Sequence, residues 1–441
     1  MTKQSLKRKE IATSALRAPP RNDAIRRAPP HKPMPLDLKK VIVQLKNIEN
    51  NDVQNINRNR LDSTFKLFEL ALSNQEELKA KLYETQESKK ANFFFAVPYS
   101  DGSLEQTISC NENFLQPHIT VATDGSQISP SAHEVTGSFL INIGLVSIPY
   151  FAKDIPVNLS SEPTIYNSQE EISPKTANEN IQEDDLISYE RTLKEIEELV
   201  KLAKSYSKYS LPIIAILDGT LIHWHIEKFS SYFIENFIKR FSDAMHELKS
   251  LRIPVASFLS NSRSNDLINM LRIYKCPYES VDCKKHCANL DSRNLPCNPC
   301  PDYAPVLDRR LVEKYFSDKK IKSGTRTVLF KSNSKVFNHY PDDLKVSFFY
   351  MNTGSEIARV EIPSYVANDK DLLDLTHNAV ALQCKVGFGY PVTLSEAHLQ
   401  AVVNKADRQM FYDLIKEQLL KGKQSPVRLS NKEFKKRVSF V

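Results

Sequence analysis

The chain has 441 residues, of which 41% are hydrophobic and 26% charged, and its formal net charge is +7. This balance is typical of a globular protein long enough to hold about two or three domains. The sequence contains no run of about 18 apolar residues, so it predicts no membrane span. The basic N-terminus lacks the apolar stretch of a secretory signal, so we expect a cytoplasmic location.

The positive charge lies at the two ends of the sequence. Residues 1–35 carry a net charge of +7 and residues 421–441 one of +6, so residues 36–420 carry −6. Basic tails of this kind favour attachment to a polyanion such as nucleic acid. They are equally typical of solvated segments that keep a protein soluble.

The sequence predicts four regions. Residues 1–36, with Ala-Pro-Pro twice, are predicted to be disordered. Apolar residues at three- and four-residue steps predict a helical region over 37–95. Residues 96–420 are predicted as one domain with a cysteine-rich insert at 276–305, and residues 421–441 form the second basic tail.

Within this domain, runs of β-branched and aromatic residues predict strands at 118–124, 137–152, 212–218, 255–259, 326–332, 345–351 and 356–362. Helical periodicity predicts helices at 185–205, 224–250, 264–274, 369–384 and 394–420. The polar residues 156–182 predict a loop. Because strands alternate with helices after position 210 while the others need not be parallel, we expect an α/β fold with a mixed sheet flanked by helices.

Two aspartates occupy matching positions. Asp124 and Asp218 each follow a run of small and β-branched residues and precede a glycine and a hydroxyl residue. We expect each strand to end at its aspartate and each glycine to turn the backbone sharply. Two such acids on neighbouring strands would need a cation, as in a two-metal nuclease. Ordinary strand-ending turns are the alternative.

A metal-dependent phosphodiesterase needs further hard ligands, and the helix predicted at 185–205 is the expected source of a third carboxylate. It carries four candidates, Glu190, Glu195, Glu197 and Glu198. Glu195 lies four residues after Arg191, on the same helical face. A solvated helix surface is the alternative for each of the four.

A histidine is the fourth candidate ligand. His398 is predicted at the start of a helix that Thr393 or Ser395 caps. The positive field of a helix N-terminus would favour neutral imidazole, which binds a metal or accepts a proton from water. A packed histidine in a capping turn is the alternative, and His377 is a second candidate.

These motifs resemble the NurA nuclease family over roughly residues 115–415. The resemblance rests on five segments: Thr123-Asp-Gly-Ser-Gln-Ile128, Asn142-Ile-Gly144, Leu217-Asp-Gly-Thr-Leu-Ile222, Ser262-Arg-Ser264, and Gly389-Tyr-Pro391 with Ala397-His398. It implies a ribonuclease-H-like core and Mn²⁺-dependent (or Mg²⁺-dependent) cleavage of DNA, as a 5′-to-3′ exonuclease and single-strand endonuclease. It also implies a homodimer that works with a hexameric HerA translocase on single-stranded DNA and duplex ends during end resection and double-strand break repair.

Carried over by motif, the resemblance makes Asp124, Asp218 and Glu195 metal ligands and His398 the histidine of the site. The expected mechanism is two-metal hydrolysis, in which one ion generates hydroxide and the other stabilises the leaving oxygen. Arg263 would hold a substrate phosphate through its planar guanidinium, unless it pairs with a local carboxylate.

Five of the seven cysteines fall in the insert: Cys276, Cys283, Cys287, Cys297 and Cys300. Because disulfides are rare in a cytoplasmic protein, their spacing favours a metal, either structural Zn²⁺ on four thiolates or an iron–sulfur cluster. A reduced cysteine loop without metal is the alternative.

Two other function classes fit the sequence. One is a nucleic-acid-binding scaffold with a degenerate ribonuclease-H-like core, and the other a phosphohydrolase that acts on a small nucleotide. The intact acids at 124 and 218 favour catalysis over the scaffold. The basic tails, together with the lack of a phosphate-binding glycine-rich loop, favour a polymeric substrate over a nucleotide.

Overall fold

The computed structural model describes residues 37–49, 53–111, 113–114, 116–130, 137–168, 171–172, 183–287 and 305–421. The chain divides into two units, Met1–Asp52 with Asn431–Val441, and Val53–Ser430. In the first unit the described residues form helix α1 (Leu38–Glu49). The tail predicted at 1–36 and all but the first residue of the tail predicted at 421–441 lie outside the described residues.

The second unit is organised around one mixed β-sheet. Its described strands are β1 (Ala96–Pro98), β2 (Thr107–Ser109), β3 (His118–Ile128), β4 (Phe139–Tyr150), β5 (Asn158–Tyr166), β6 (Ile213–Asp218), β7 (Val255–Leu259), β8 (Thr325–Thr327), β9 (Phe330–Ser332), β10 (Val346–Asn352) and β11 (Ile357–Pro363). The main order is β1-β9-β10-β11-β7-β6-β3-β4-β5, and β8 pairs with both β2 and β10.

The middle of this sheet has the expected topology. Strands β3, β4 and β5 form an antiparallel meander, and β6 and β7 then run parallel to β3. A meander followed by two parallel strands on the side of its first strand is the ribonuclease-H-like arrangement. The predicted α/β fold with a mixed sheet flanked by helices is therefore confirmed.

Helices cover both faces of the sheet. In the second unit they are α2 (Val53–Ser73), α3 (Gln75–Ser88), α4 (Glu183–Tyr206), α5 (Ser231–Ser250), α6 (Asp266–Lys275), α7 (Cys283–Cys287), α8 (Asp308–Asp318), α9 (Ser364–Ala367), α10 (Lys370–Val386), α11 (Val392–Ala401) and α12 (Lys405–Lys421). No helix in the described ranges is long and apolar enough to cross a bilayer. The predicted helical region before the sheet is confirmed as α1 to α3.

Two large apolar clusters and two small ones lie among the described residues of this unit. The larger joins the central strands to α4, α5, α10 and α11. The second joins α2, α3, α6 and α8 to strands β9 and β10. Helices α2 and α3 therefore pack on the same unit as the sheet. Their buried apolar side chains, such as Leu78 and Leu82, explain the helical periodicity seen in the sequence.

One predicted loop is wrong. Residues 158–166, inside the loop predicted at 156–182, form strand β5, which pairs antiparallel with β4 along its whole length. Most of its side chains are exposed or partly exposed, and it includes Pro163. A polar strand with proline is typical of a sheet edge, where one backbone side pairs and the other faces solvent. Composition therefore could not distinguish it from a loop.

Strand β3 is longer than predicted. It continues through Asp124 to Ile128, because residues 124–128 pair with residues 140–144 of β4. The expectation that a sharp turn follows Asp124 is therefore wrong. Only Asp218 ends its strand, where Gly219 adopts a φ of 87°.

The structure also differs from the prediction in two elements that are divided and in one helix that was not predicted. The helix predicted at 394–420 divides into α11 and α12, and the strand predicted at 326–332 divides into β8 and β9. Helix α8 was not predicted; it follows the cysteine-rich insert directly. The helix predicted at 224–250 begins with a 3-10 turn, after which Ser230 caps α5 by accepting the backbone N–H of Phe233.

The packing of α11 on β4 requires a glycine, and this requirement can be tested. A Cβ atom at Gly144 would overlap the carbonyl oxygen of Ala397 and lie 2.6 Å from the nitrogen of Ala401. We expect Gly144→Ala to lower the free energy of unfolding by about 1–3 kcal/mol through overpacking, measured by urea denaturation.

Gly137→Ala is the matched control, because a Cβ atom there would meet nothing within 4 Å. Equal stability of the two variants would contradict the proposed close contact between helix and strand.

Candidate active site

Asp124 and Asp218 lie at the same end of two adjacent parallel strands. Thr123 of β3 is in register with Leu217 of β6, so each aspartate is one residue beyond that pair. Neighbouring strands are about 4.8 Å apart, which brings the two residues side by side. Each carboxylate accepts the N–H of the glycine that follows it, at 2.8 Å for Gly125 and 2.9 Å for Gly219. The sheet itself therefore fixes both acids.

Helix α4 adds the third carboxylate. Thr123 donates its hydroxyl to the backbone carbonyl of Glu195 at 2.8 Å, which fixes the helix against β3 at this level. A Cβ atom at Gly125 would overlap the Glu195 carboxylate and lie 2.7 Å from Cγ of Arg191. Glycine at 125 therefore leaves the space that the Glu195 side chain fills.

The other three helix glutamates have different partners. Glu190 and Glu197 both bind Arg240 of α5, at 2.6 and 2.7 Å. Glu198 binds Lys201 at 2.6 Å. Of the four candidates, the structure brings only Glu195 to the two aspartates. The (i, i+4) pairing with Arg191 expected from the sequence is present, at 3.3 Å.

The environment of the site raises the proton affinity of two of its carboxylates. The pKa of Glu195 is raised to about 8, first by burial, while Arg191 lowers it and the charges of Asp124 and Asp218 raise it further. Burial also raises the pKa of Asp218, with a smaller contribution from Asp124. The charges of the two aspartates thus oppose the effect of Arg191 on Glu195.

His398 reaches this site from α11. Its Nδ1 atom lies 2.8 Å from Oδ2 of Asp124, and its side chain is 67% exposed. The predicted position at a helix N-terminus is wrong, because His398 lies in the last turn of α11. Proline at 391 precedes the helix, and Thr393 is buried with its hydroxyl bound to Gln383 at 2.9 Å instead of capping. The predicted field of the helix N-terminus therefore does not act on this imidazole.

Two polar residues of the motif hold the end of α11. Ser126 donates to the carbonyl of Ala401 at 2.5 Å, and Asn142 donates to the same oxygen at 2.9 Å. Carbonyls in the last turn of a helix lack intrahelical partners, so these bonds satisfy one of them. They also fix the turn that carries His398.

Tyr390 is a site residue for which the sequence suggested no role. Its hydroxyl hydrogen-bonds to Asp218, and burial together with the nearby aspartates raises its pKa well above the ordinary value. Its ring packs edge-on against Phe258 of β7, with centroids 5.5 Å apart. The available signal was its place in the Gly-Tyr-Pro segment, which the resemblance includes without assigning a role.

A buried ion pair, which no sequence pattern indicated, holds the loop after Asp218. Glu361 accepts the Thr220 hydroxyl at 2.8 Å and the Leu221 N–H at 2.9 Å. Arg359 binds Glu361 and Asp266, each at 2.8 Å, and both Arg359 and Glu361 are 1% exposed. The charge of Glu361 is thus compensated inside the protein while its second oxygen holds the loop.

Arg263 lies beside the site and has no partner within the part of the chain that the structure describes. It lines an open cleft of about 630 Å³ together with Asp218. The alternative expectation of a local carboxylate partner is not met among the described residues. Ser262 and Ser264 bind each other at 2.7 Å on either side of it.

The second histidine candidate lies elsewhere. His377 is buried in α10, where its Nε2 atom pairs with the carbonyl of Gly324 at 2.9 Å, and burial lowers its pKa to about 4. It contributes to the core and does not reach the two aspartates.

The cysteine-rich insert is only partly described. Cys276 ends α6, and its carbonyl accepts Lys81 Nζ at 2.6 Å; Cys283 and Cys287 begin and end α7. Cys297 and Cys300 lie outside the described residues. The predicted zinc or iron–sulfur site therefore stays a prediction.

The donor set of the acidic site fits a hard divalent cation. Among the described residues, no three His, Cys, Asp or Glu side chains are already arranged as a metal-binding group. Even so, Asp124, Glu195 and Asp218 offer carboxylate oxygens, which Mg²⁺ and Mn²⁺ prefer. Burial and neighbouring carboxylates raise the pKa of Glu195 and of Asp218, and a bound cation would favour their charged forms. To bind such a cation, Glu195 would exchange its contact with Arg191.

The Arg359–Glu361 pair should contribute strongly to stability. We expect Arg359→Ala to lower the free energy of unfolding by about 3–5 kcal/mol, because it leaves buried carboxylates uncompensated. Urea denaturation measures this. Lys239→Ala is the control, since Lys239 and Asp243 are 75% and 63% exposed, and such a pair contributes about 0.5 kcal/mol. Similar losses in the two variants would contradict this role.

The chain matches the model of a known protein family. The NurA domain model matches residues 118–403. No curated protein sequence matches the chain. Among solved structures, the chain is similar to LC9-RNase H1, a type 1 RNase H with the type 2 active-site motif, at 10% identity and a TM-score of 0.21, over 37% of this chain and 72% of that one. The family model spans more than half of the sequence and includes the aspartates, Glu195 and His398, so this chain belongs to the NurA nuclease family.

Proposed function

We propose that the protein is a divalent-metal-dependent deoxyribonuclease that hydrolyses phosphodiester bonds at DNA ends. The observation that carries this proposal is the convergence of Asp124 and Asp218, from neighbouring parallel strands, with Glu195 of α4. Burial and the charges of Asp124 and Asp218 raise the pKa of Glu195, and a bound cation would favour the ionised form of this carboxylate. Phosphodiester hydrolysis is a reaction that such a cation site supports.

Bound Mn²⁺ or Mg²⁺ would supply Lewis-acid stabilisation of the phosphate oxygens and lower the pKa of a water molecule. The protein's own part is to hold and orient the donors. Asp124, Glu195 and Asp218 would hold the cations, while the Tyr390 hydroxyl and the Gly219 N–H orient Asp218. His398 orients Asp124 through Nδ1 and is exposed enough to meet a substrate or a ligand.

Arg263 would hold a phosphate of the substrate. Its guanidinium is exposed, lacks a partner among the described residues and lines the same cleft as Asp218. Arginine binds phosphate through two parallel N–H groups, which fixes orientation as well as position. We therefore propose that Arg263 aligns the DNA backbone with the carboxylates.

Membership of the NurA family supports further proposals about the activities, the cellular process and the partners of this protein. We propose 5′-to-3′ exonuclease and single-strand endonuclease activities in end resection during double-strand break repair, as a homodimer working with a HerA-type hexameric translocase. The basic segments 1–35 and 421–441 would add attraction to DNA around a body of opposite net charge. Cytoplasmic location and metal binding by the cysteine-rich insert stay predictions.

Substitution of the acids tests catalysis. Loss of an outer-shell residue alone costs about 10–100-fold in metal affinity or activity. We therefore expect Asp124→Asn, Asp218→Asn and Glu195→Gln each to lower Mn²⁺-dependent cleavage of linear and single-stranded DNA by more than about a hundredfold, with unchanged thermal unfolding. Labelled substrates in a Mn²⁺ titration, with EDTA as the blank, measure this loss.

Glu198→Gln is the matched control on the same helix, because Glu198 binds Lys201 and lies apart from the aspartates. Parental cleavage by all three acid variants would contradict the site assignment, and absence of cleavage by the parent protein itself would favour the scaffold class. Cleavage of free nucleotides but not of DNA would instead select the small-nucleotide hydrolase.

His398 should matter for turnover more than for stability. We expect His398→Ala to lower the cleavage rate by about 10–100-fold and to leave the unfolding midpoint within about 1 °C, since the side chain is mostly exposed. His246→Ala is the matched control: His246 forms another exposed histidine–aspartate pair, 3.2 Å from Asp343. Equal rates for the two variants would contradict a role of His398 in the site.

A further inference from the structure

The cleft beside Asp218 has the composition of a binding site for an unpaired nucleotide. It lies at the carboxyl ends of the adjacent parallel strands β6 and β7, where open α/β sheets bind ligands. Its volume is about 630 Å³, within the range of about 300–1,000 Å³ that small-molecule sites span. Its lining includes two aromatic side chains, Trp224 and Phe94, and Arg263, which has no partner among the described residues.

Trp224 is exposed at the rim of this cleft although its backbone is firmly held. Its side chain is 55% exposed. The neighbouring His223 is buried between Phe237 and Phe241, with ring centroids 5.0 and 4.9 Å away, and Ile226 is fully buried. The turn is therefore anchored in the core while the indole faces solvent, so one face of the ring is available without a rearrangement of the backbone.

Phe94 and the loop after β7 complete the site. Phe94 is 37% exposed, and its carbonyl accepts the side-chain amide of Asn269 at 2.6 Å, which fixes its backbone. The loop at 260–265 contributes hydroxyl and amide side chains beside Arg263. Aromatic faces combined with a guanidinium and small polar groups are typical of sites that bind single-stranded nucleic acid.

We propose that Trp224 stacks on an unpaired base of the DNA strand whose backbone Arg263 holds, so that the cleft selects a single-stranded nucleotide next to the cleaved bond. This inference rests on the proposed nuclease function and adds a specificity-determining residue to it. A base inside a duplex has both faces covered by its neighbours and cannot offer one to the indole. The strand must therefore be unpaired or frayed at this position.

The sequence provides its own reporter for this proposal, because Trp224 is its one tryptophan. The experiment titrates the full-length protein with a thymidine decamer and with an abasic decamer that has the same number of phosphates. EDTA prevents cleavage. Tryptophan fluorescence reports stacking, and fluorescence anisotropy of end-labelled oligonucleotides reports binding. We expect the thymidine decamer to quench the fluorescence and the abasic decamer to bind without quenching it.

Equal quenching by both decamers, or binding without any quenching, overturns the stacking proposal and leaves the nuclease function standing. Failure of both decamers to bind overturns the proposed DNA substrate along with the stacking. Cleavage assays of the acid variants report on catalysis separately, so the two failures are distinguishable.

Substitutions give the second measurement. We expect Trp224→Ala to weaken binding of the thymidine decamer about fivefold or more, the loss of one base–aromatic stack, and to leave abasic binding unchanged. Trp224→Phe should recover most of the difference, since a phenyl ring still stacks. Tyr83→Ala on α3 is the control, because Tyr83 is an exposed aromatic residue outside the cleft. An unchanged ratio of thymidine to abasic affinity in Trp224→Ala overturns the proposal.

Discussion

Three carboxylates are held near one another by two paired strands and the helix packed on them, and most features of the site orient them or offset their burial. Asp124 and Asp218 project from adjacent parallel strands, and Glu195 is fixed by the bond between the Thr123 hydroxyl and its own carbonyl. Burial and mutual repulsion raise the pKa of Glu195 to about 8. Because the backbone prevents relaxation, the protein must compensate the charge with hydrogen bonds, with Arg191 or with a bound cation.

The surrounding residues act as a second layer that fixes each donor. Tyr390 binds Asp218, and His398 binds Asp124. Ser126 and Asn142 fix the end of α11, which carries His398. Supporting contacts of this kind orient ligands in metal sites, where an error of about 1 Å is costly. Each of these polar motif residues thus orients either a carboxylate or the end of the helix that carries His398.

Two glycines leave the space in which α4 and α11 pack against the sheet near the carboxylates. Gly125 leaves room for Glu195, and Gly144 lets α11 lie directly on β4. Strand side chains alternate between faces, so these two glycines open opposite faces of the sheet to α4 and to α11. The absence of a Cβ atom thus lets α4 approach β3, which carries Asp124, and lets α11 approach the neighbouring strand β4.

The sequence by itself determined the fold class, most of the central strands and the two candidate aspartates, because hydrophobic periodicity and an aspartate–glycine pair after an apolar run are local patterns. Local patterns could not show that β5 is a polar edge strand, that β3 continues past Asp124, or that His398 ends its helix. Tertiary structure placed Glu195, which the resemblance had indicated, beside the aspartates, and it brought Tyr390, Arg359 and Glu361 to the site. Those roles depend on contacts between residues far apart in the chain, where packing and electrostatics act across elements and leave no periodic signal.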